Sequence, residues 1–162
     1  MALGIEKKLL GSTEGTNFAT YTFPVGSGVT VTAGDFVYFS SGRIISTTVS
    51  GAGVRPIGMV LETATGNAAG TVSALVCIDD DVRFLLQNDN VGTTFAASHV
   101  GTYFNLTGAT GAQLVDTSTT SATLGQLLCL EYNPQIDPVK SDTTYGVFVL
   151  VNSAAEPYVA NV

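Results

Sequence analysis

The sequence predicts an all-β protein: a compact β-barrel or β-sandwich of about 8–10 short strands, with an extended N-terminal arm. Three observations carry this expectation. Runs of β-branched and aromatic residues alternate with Gly, Ser, Thr, Asn and Asp at short, regular spacing, so half-buried pleated surfaces are punctuated by turn chemistry. Hydrophobic residues make up 45% of the 162 residues and charged residues only 12%, with 18 glycines; the charged share is about half the ~25% usual in soluble domains. No stretch carries an amphipathic helix period, and the one candidate, around His99, is a single turn.

Taken in order, residues 1–27 read as the arm, 28–152 as the β-domain and 153–162 as a C-terminal tail. The arm has glycines at 4, 11 and 15, and Ile5–Leu10 is too short for a stable helix. Phe18, Tyr21 and Phe23 are imperfectly spaced for a strand, so this segment is ordered only where something binds it. The organising stretch is Val31–Glu62. Ala33-Gly34-Asp35 turns into a strand over Asp35–Phe39, Ser40-Ser41-Gly42 reverses it, Arg43–Thr48 runs back, and a Gly-rich loop leads through Pro56 into Gly58–Glu62. Thr63–Gly70 is a hairpin loop. Thr71–Ile78 alternates, with Val72, Ala74, Val76 and Ile78 on one face and Ser73, Leu75 and Cys77 on the other. Strands follow at Val82–Gln87, Tyr103–Leu106, Ala112–Asp116, Gly125–Tyr132 and Val147–Val151, with turns at Asp79–Asp81, Asn88–Gly92 and Thr107–Gly111 and a hydroxyl-rich loop over Thr117–Thr123. Asn133–Tyr145 contains Pro134 and Pro138 and reads as an ordered excursion, since proline cannot donate to a central ladder.

An internal echo runs through this order. Gly34-Asp-Phe-Val-Tyr-Phe, Gly42-Arg-Ile-Ile and Gly58-Met-Val-Leu-Glu62 resemble Gly101-Thr-Tyr-Phe-Asn-Leu, Gly111-Ala-Gln-Leu-Val-Asp and Gly125-Gln-Leu-Leu-Cys-Leu-Glu131. A shared backbone topology makes this a duplication; unrelated topologies make it coincidence.

Candidate chemistry is sparse. The net charge of −7, with six basic residues of which only Lys7 and Lys8 adjoin, argues against nucleic acid as a partner. No apolar run suits a signal peptide or a membrane span, so the chain is expected to be soluble and made in the cytoplasm. Cys77 and Cys129 lie in apolar runs and read as small buried hydrophobes, with a disulfide between them left open. Asp79-Asp80-Asp81 offers oxygens to a cation such as calcium, but a solvated turn fits better; Asn88-Asp89-Asn90 has the same two readings. His99 stands alone, no Ser sits in a nucleophile elbow, and paired carboxylates such as Asp35 with Glu62 lie at strand ends where solvated charge is normal. The Asn105-Leu106-Thr107 sequon would go unused in a cytoplasmic protein. No catalytic, cofactor or metal residue is assigned, and an enzyme is not expected.

The segments Val31-Thr-Ala-Gly-Asp-Phe-Val37, Pro56-Ile-Gly-Met-Val60, Val100-Gly-Thr-Tyr-Phe-Asn-Leu106, Gln113-Leu-Val-Asp116 and Gly125-Gln-Leu-Leu resemble the capsid decoration, or cement, proteins of tailed bacteriophages, over roughly residues 29–151. The resemblance implies a β-rich homotrimer, without catalytic residues, that binds the outside of the capsid shell and reinforces it. It implies the major capsid protein lattice as partner, no membrane or small-molecule substrate, and residence on the virion. Terminal arms make lattice contacts in such proteins, which nominates Ile5, Lys7, Lys8, Leu9, Phe18 and Tyr21 as capsid contacts. The alternative is a phage tail or fibre β-domain that binds a host glycan, which exposed aromatic residues on one face would favour; the chain has no Trp.

Overall fold

The computed structural model describes residues 8–9, 19–46, 55–78, 82–89, 94–122, 125–132 and 144–151. They form thirteen strands: β1 (Lys8–Leu9), β2 (Thr20–Pro24), β3 (Thr30–Val31), β4 (Phe36–Ser40), β5 (Arg43–Ile45), β6 (Gly58–Val60), β7 (Ala64–Thr65), β8 (Ser73–Cys77), β9 (Phe84–Gln87), β10 (Tyr103–Thr107), β11 (Leu114–Ser121), β12 (Leu127–Tyr132) and β13 (Tyr145–Leu150), with a 3-10 turn at Ala97–His99. The protein is all-β. The excess over the expected strand number comes from β1, β3 and β7, each two residues long.

Apart from a two-stranded sheet in which β3 pairs with β7, two large sheets make the body. One has the order β2-β8-β6-β4-β5 and the other β1-β9-β13-β12-β10-β11, every pairing antiparallel. Without β1, the two orders are the same when the strands of each are numbered along the chain: first, fifth, fourth, second, third. The registers agree as well. Phe39 faces Ile44 as Leu106 faces Val115, Val37 faces Gly58 as Phe104 faces Leu127, and Val60 faces Val76 as Cys129 faces Phe148. Tyr21 faces Val76 as Phe84 faces Phe148. Each sheet curls until its first and third strands in chain order meet, through the parallel bridges Val25–Ile44 and Asn88–Val115.

Loop hydrogen bonds repeat too. Val60 N–H donates to Asp35 O and Cys129 N–H to Thr102 O, while Gly34 N–H donates to Val60 O and Gly101 N–H to Cys129 O. Gly34 and Gly101 are both left-handed, at φ 91° and 81°, a conformation glycine adopts without strain. The chain is therefore a tandem duplication of a five-stranded unit. The sequence echo was real but partial: it covered three of the five strands. It set Gly58 opposite Gly125, whereas the registers set Gly58 opposite Leu127, so that Leu61-Glu62 and Leu130-Glu131 do correspond.

Among the described residues the copies depart in two places: the N-terminal unit carries the two-stranded β3–β7 sheet and the C-terminal unit the 3-10 turn, and their hairpins differ. In the N-terminal unit, Ser41 and Gly42 (φ 50° and 75°) join β4 to β5, a two-residue turn whose positive φ values match the right-handed twist of its strands. In the C-terminal unit, residues 108–113 join β10 to β11.

That longer loop fastens the units together. Gly111 N–H donates to the buried Asp35 carboxylate at 2.9 Å, and Thr110 Oγ1 lies 2.8 Å from Ser46 Oγ. The buried Gln113 amide accepts from Phe36 N–H at 2.7 Å and donates to Phe36 O at 2.9 Å and Ser46 O at 2.8 Å. Arg55 Nη1 donates to Val151 O at 2.7 Å.

The apolar interior follows the same logic. Val25, Val31, Val37, Ile44, Val60, Ala74 and Val76 fill the N-terminal unit. The larger cluster fills the C-terminal unit and takes in Phe36, Met59 and Cys77 from the outer face of the N-terminal one. Period-2 alternation explains the split: Val37 and Val76 point inward, and their neighbours Phe36 and Cys77 point to the other unit.

Four expectations about the strands need revision. Thr117–Ser121, placed in a loop, continues β11, and Ala64–Thr65, placed in a hairpin loop, pairs with β3. Thr20–Pro24, placed in the arm, pairs with β8 along its length and is a strand of the body. Its inward face is Tyr21, Phe23 and Val25, a clean alternation that Phe18 obscured. Asn88, placed in a turn, is buried at the bridge to Val115, and Asp89 accepts from Thr117 N–H and Oγ1–H.

Candidate interaction surface

The most exposed large apolar side chains include Tyr21 at 59% and Phe39 at 45%. They belong to one cluster. The Tyr21 ring stacks near Phe23 at 6.3 Å between centroids, and Phe23 meets Phe39 edge to face at 5.1 Å. Strand geometry places them. Along β2 the inward-pointing positions pass from Val25, buried where the sheet curls shut, through half-buried Phe23 to exposed Tyr21. Phe39 is the last inward position of β4 before the Ser41-Gly42 turn. Together they rim the open mouth of the N-terminal unit.

In the C-terminal unit the equivalent positions are Phe84, Leu86 and Leu106, exposed by 0%, 2% and 2%. That mouth is closed because Phe36, Met59 and Cys77 of the N-terminal unit pack into the same cluster, with the Phe36 and Phe84 rings 5.0 Å apart. One copy of the mouth is thus plugged and the other is open.

Of the expected contact residues, Tyr21 lies on the open mouth. Lys8 and Leu9 pair with Leu85 and Phe84 and extend the C-terminal sheet. Ile5, Lys7 and Phe18 lie outside the described residues. Sequence reasoning passed over Phe23 and Phe39 as site residues. The Tyr21-Phe23-Val25 alternation was the available signal for the first; nothing in the sequence separates the exposed Phe39 from the buried Leu106 at the same register.

The remaining candidates have structural roles. Asp35 is not a solvated strand-end charge: it is 1% exposed and accepts from Thr32 N–H at 3.2 Å and from Gly111 N–H. Glu62 accepts from Leu75 N–H at 2.9 Å across the sheet. His99 is half-buried, accepts from Ala96 N–H through Nδ1 and meets Phe95 and Phe104 edge to face. Cys77 and Cys129 form no disulfide and are buried in one cluster, and burial pushes the Cys129 thiol up to about 11, the Glu131 backbone pulling the other way. Such a thiol is protonated at neutral pH and packs as a small hydrophobe. Among the described residues no three His, Cys, Asp or Glu side chains gather to hold a metal ion; Asp79–Asp81 lie outside them. The arrangement offers a partner an aromatic, charge-poor surface. No protein-family model, curated protein or solved structure matches the chain.

Proposed function

We propose that this chain is a structural virion protein that binds the outside of a tailed-phage capsid and stabilises the shell. The observation that carries the reading is a body with only 12% charged residues that leaves an aromatic cluster of Tyr21, Phe23 and Phe39 exposed in the single chain, the mark of a protein that works inside an assembly. Exposed apolar clusters on otherwise hydroxyl-covered domains mark surfaces that are covered in the working state. The pattern resemblance to decoration proteins supplies the partner, the major capsid protein lattice, and a homotrimeric state.

The physical role follows from linkage. A protein that binds only the expanded lattice stabilises that lattice, by about 2.7 kcal/mol per site at a hundredfold excess over Kd. A homotrimer engages several lattice subunits at once, so modest contacts multiply. The N-terminal segment enters the same scheme: Lys8–Leu9 lies along β9.

The test is to mix the purified chain with expanded capsids depleted of minor proteins and to measure bound copies per shell and shell melting. A fixed stoichiometry and a raised melting temperature are expected, and deletion of residues 1–17 is expected to weaken attachment while far-UV circular dichroism still reports the β-body. Absence of binding to expanded shells overturns the reading.

The exposed aromatic rings also favour a second reading, a tail or fibre domain that stacks host sugars on Tyr21 and Phe39. Glycan-array binding that is lost in Tyr21→Ala, with no affinity for capsids, would establish that one instead.

A further inference from the structure

The duplication makes the contact between the two units a template. Inside the chain, the outer face of the N-terminal unit, led by Phe36, Met59 and Cys77, plugs the mouth of the C-terminal unit. The contact is head to tail: one unit contributes its outer face and the other its mouth. A head-to-tail contact within a pair always leaves one copy of each surface unused.

Both unused surfaces are identifiable by register. The mouth of the N-terminal unit is Tyr21, Phe23 and Phe39, open and aromatic. The outer face of the C-terminal unit is Tyr103, Leu128 and Val149, which correspond to Phe36, Met59 and Cys77 through the matched pairings. All three are half-buried, where their counterparts are buried. Nearby Asn105, the counterpart of Tyr38, keeps a buried Oδ1 without a hydrogen-bond partner.

The residue changes between copies point the same way. Phe36 and Phe84, which meet in the internal contact, are replaced at the free positions by Tyr103 and Tyr21. A ring that must be wet before assembly and buried after it is served by tyrosine, with an apolar body and a polar tip.

We infer that the chain self-associates head to tail, with the Tyr103–Leu128–Val149 face of one copy seated in the Tyr21–Phe23–Phe39 mouth of the next. The occupant of the open mouth is a second copy of this chain, because the internal contact shows which surface of this chain fills such a mouth. The contact between copies is weaker than the one within the chain. The hydrogen bonds that lock the internal contact come from residues 110–113, and the turn in the corresponding place is only Ser41-Gly42. Association is therefore concentration-dependent. This inference does not rest on the capsid reading; it follows from the duplication and is tested without capsids.

The experiment is light scattering coupled to size exclusion on the full chain, wild type against Tyr21→Asp and Tyr103→Asp, with circular dichroism as a folding check. Wild type is expected as an oligomer of the 16.7 kDa chain, and each variant alone as a monomer. An equimolar mixture of the two variants retains one intact mouth and one intact face, and is expected to form a heterodimer and nothing larger. Tyr21 is exposed, so its variant reports even where Tyr103→Asp does not fold. A monomeric wild type at high micromolar concentration overturns the inference. So does a Tyr21→Asp chain that keeps the wild-type mass, which would place the self-contact elsewhere.

Discussion

Tyr38 shows how the junction between the units shapes single residues. It lies on β4, on the face shared with Phe36, and is 2% exposed. Its hydroxyl has no hydrogen-bond partner among the described residues; the Gln126 side chain is nearby but outside bonding geometry. Burial pushes the phenol from 10.0 up to about 12, with Gln126 pulling the other way. The unfolded chain therefore releases this proton first as pH rises. The contribution of Tyr38 to stability is intact below pH 10 and is lost between 10 and about 12, at roughly 1.4 kcal/mol per unit at most. Cys129, raised from 9.0 to about 11, adds a loss of the same sign that begins one unit lower. Tyr38→Phe is expected to leave urea stability at pH 7 unchanged or raised by up to about 1 kcal/mol, since it removes an unpaired buried hydroxyl. It should also flatten the decline above pH 10. A loss of more than about 1 kcal/mol at pH 7 would mean that the hydroxyl is satisfied after all.

At the scale of elements, the two copies of the hairpin divide the labour. The Ser41-Gly42 turn closes β4 onto β5, whereas residues 108–113 close β10 onto β11 and also carry the hydrogen bonds to Asp35, Phe36 and Ser46. Replacing 108–113 with Ser-Gly should therefore preserve the β-sheet signal in far-UV circular dichroism while removing the junction bonds. At about 0.5–1.5 kcal/mol for each of five such bonds, the expected loss in urea unfolding is about 2.5–7.5 kcal/mol. A graft that unfolds at the wild-type midpoint would show that the apolar contact alone holds the units. The strands themselves were largely legible: Asp35–Phe39, Gly58–Glu62, Thr71–Ile78 and Tyr103–Leu106 are found within a residue or two of their predicted bounds, because turn chemistry marks their ends. Thr20–Pro24 was not, because its ladder partner Ser73–Cys77 lies about fifty residues on and local spacing says nothing of it.

For the whole molecule, the larger cluster draws side chains from both units, so neither can lose its packing without disturbing the other. One calorimetric transition is expected for the wild-type chain, with calorimetric and van't Hoff enthalpies equal for each folding unit. Phe36→Ala removes the ring that faces Phe84 and is expected to cost about 3–5 kcal/mol and to separate the transition into two. A single transition in that variant, with calorimetric and van't Hoff enthalpies still equal, would mean that the polar bonds couple the units by themselves.

The all-β class, most strand positions and the echo between the halves could be read from the residues alone. These follow from local rules: alternation, turn residues, and the shortage of charge. Only the tertiary structure decided which aromatic residues are exposed. Phe39 and Leu106 occupy the same register in equivalent strands, one 45% exposed and the other 2%. The difference comes from what stands across from each, the outer face of a neighbouring unit in one case and an open mouth in the other. Burial of that kind depends on pairings between distant parts of the chain, and no local pattern encodes it.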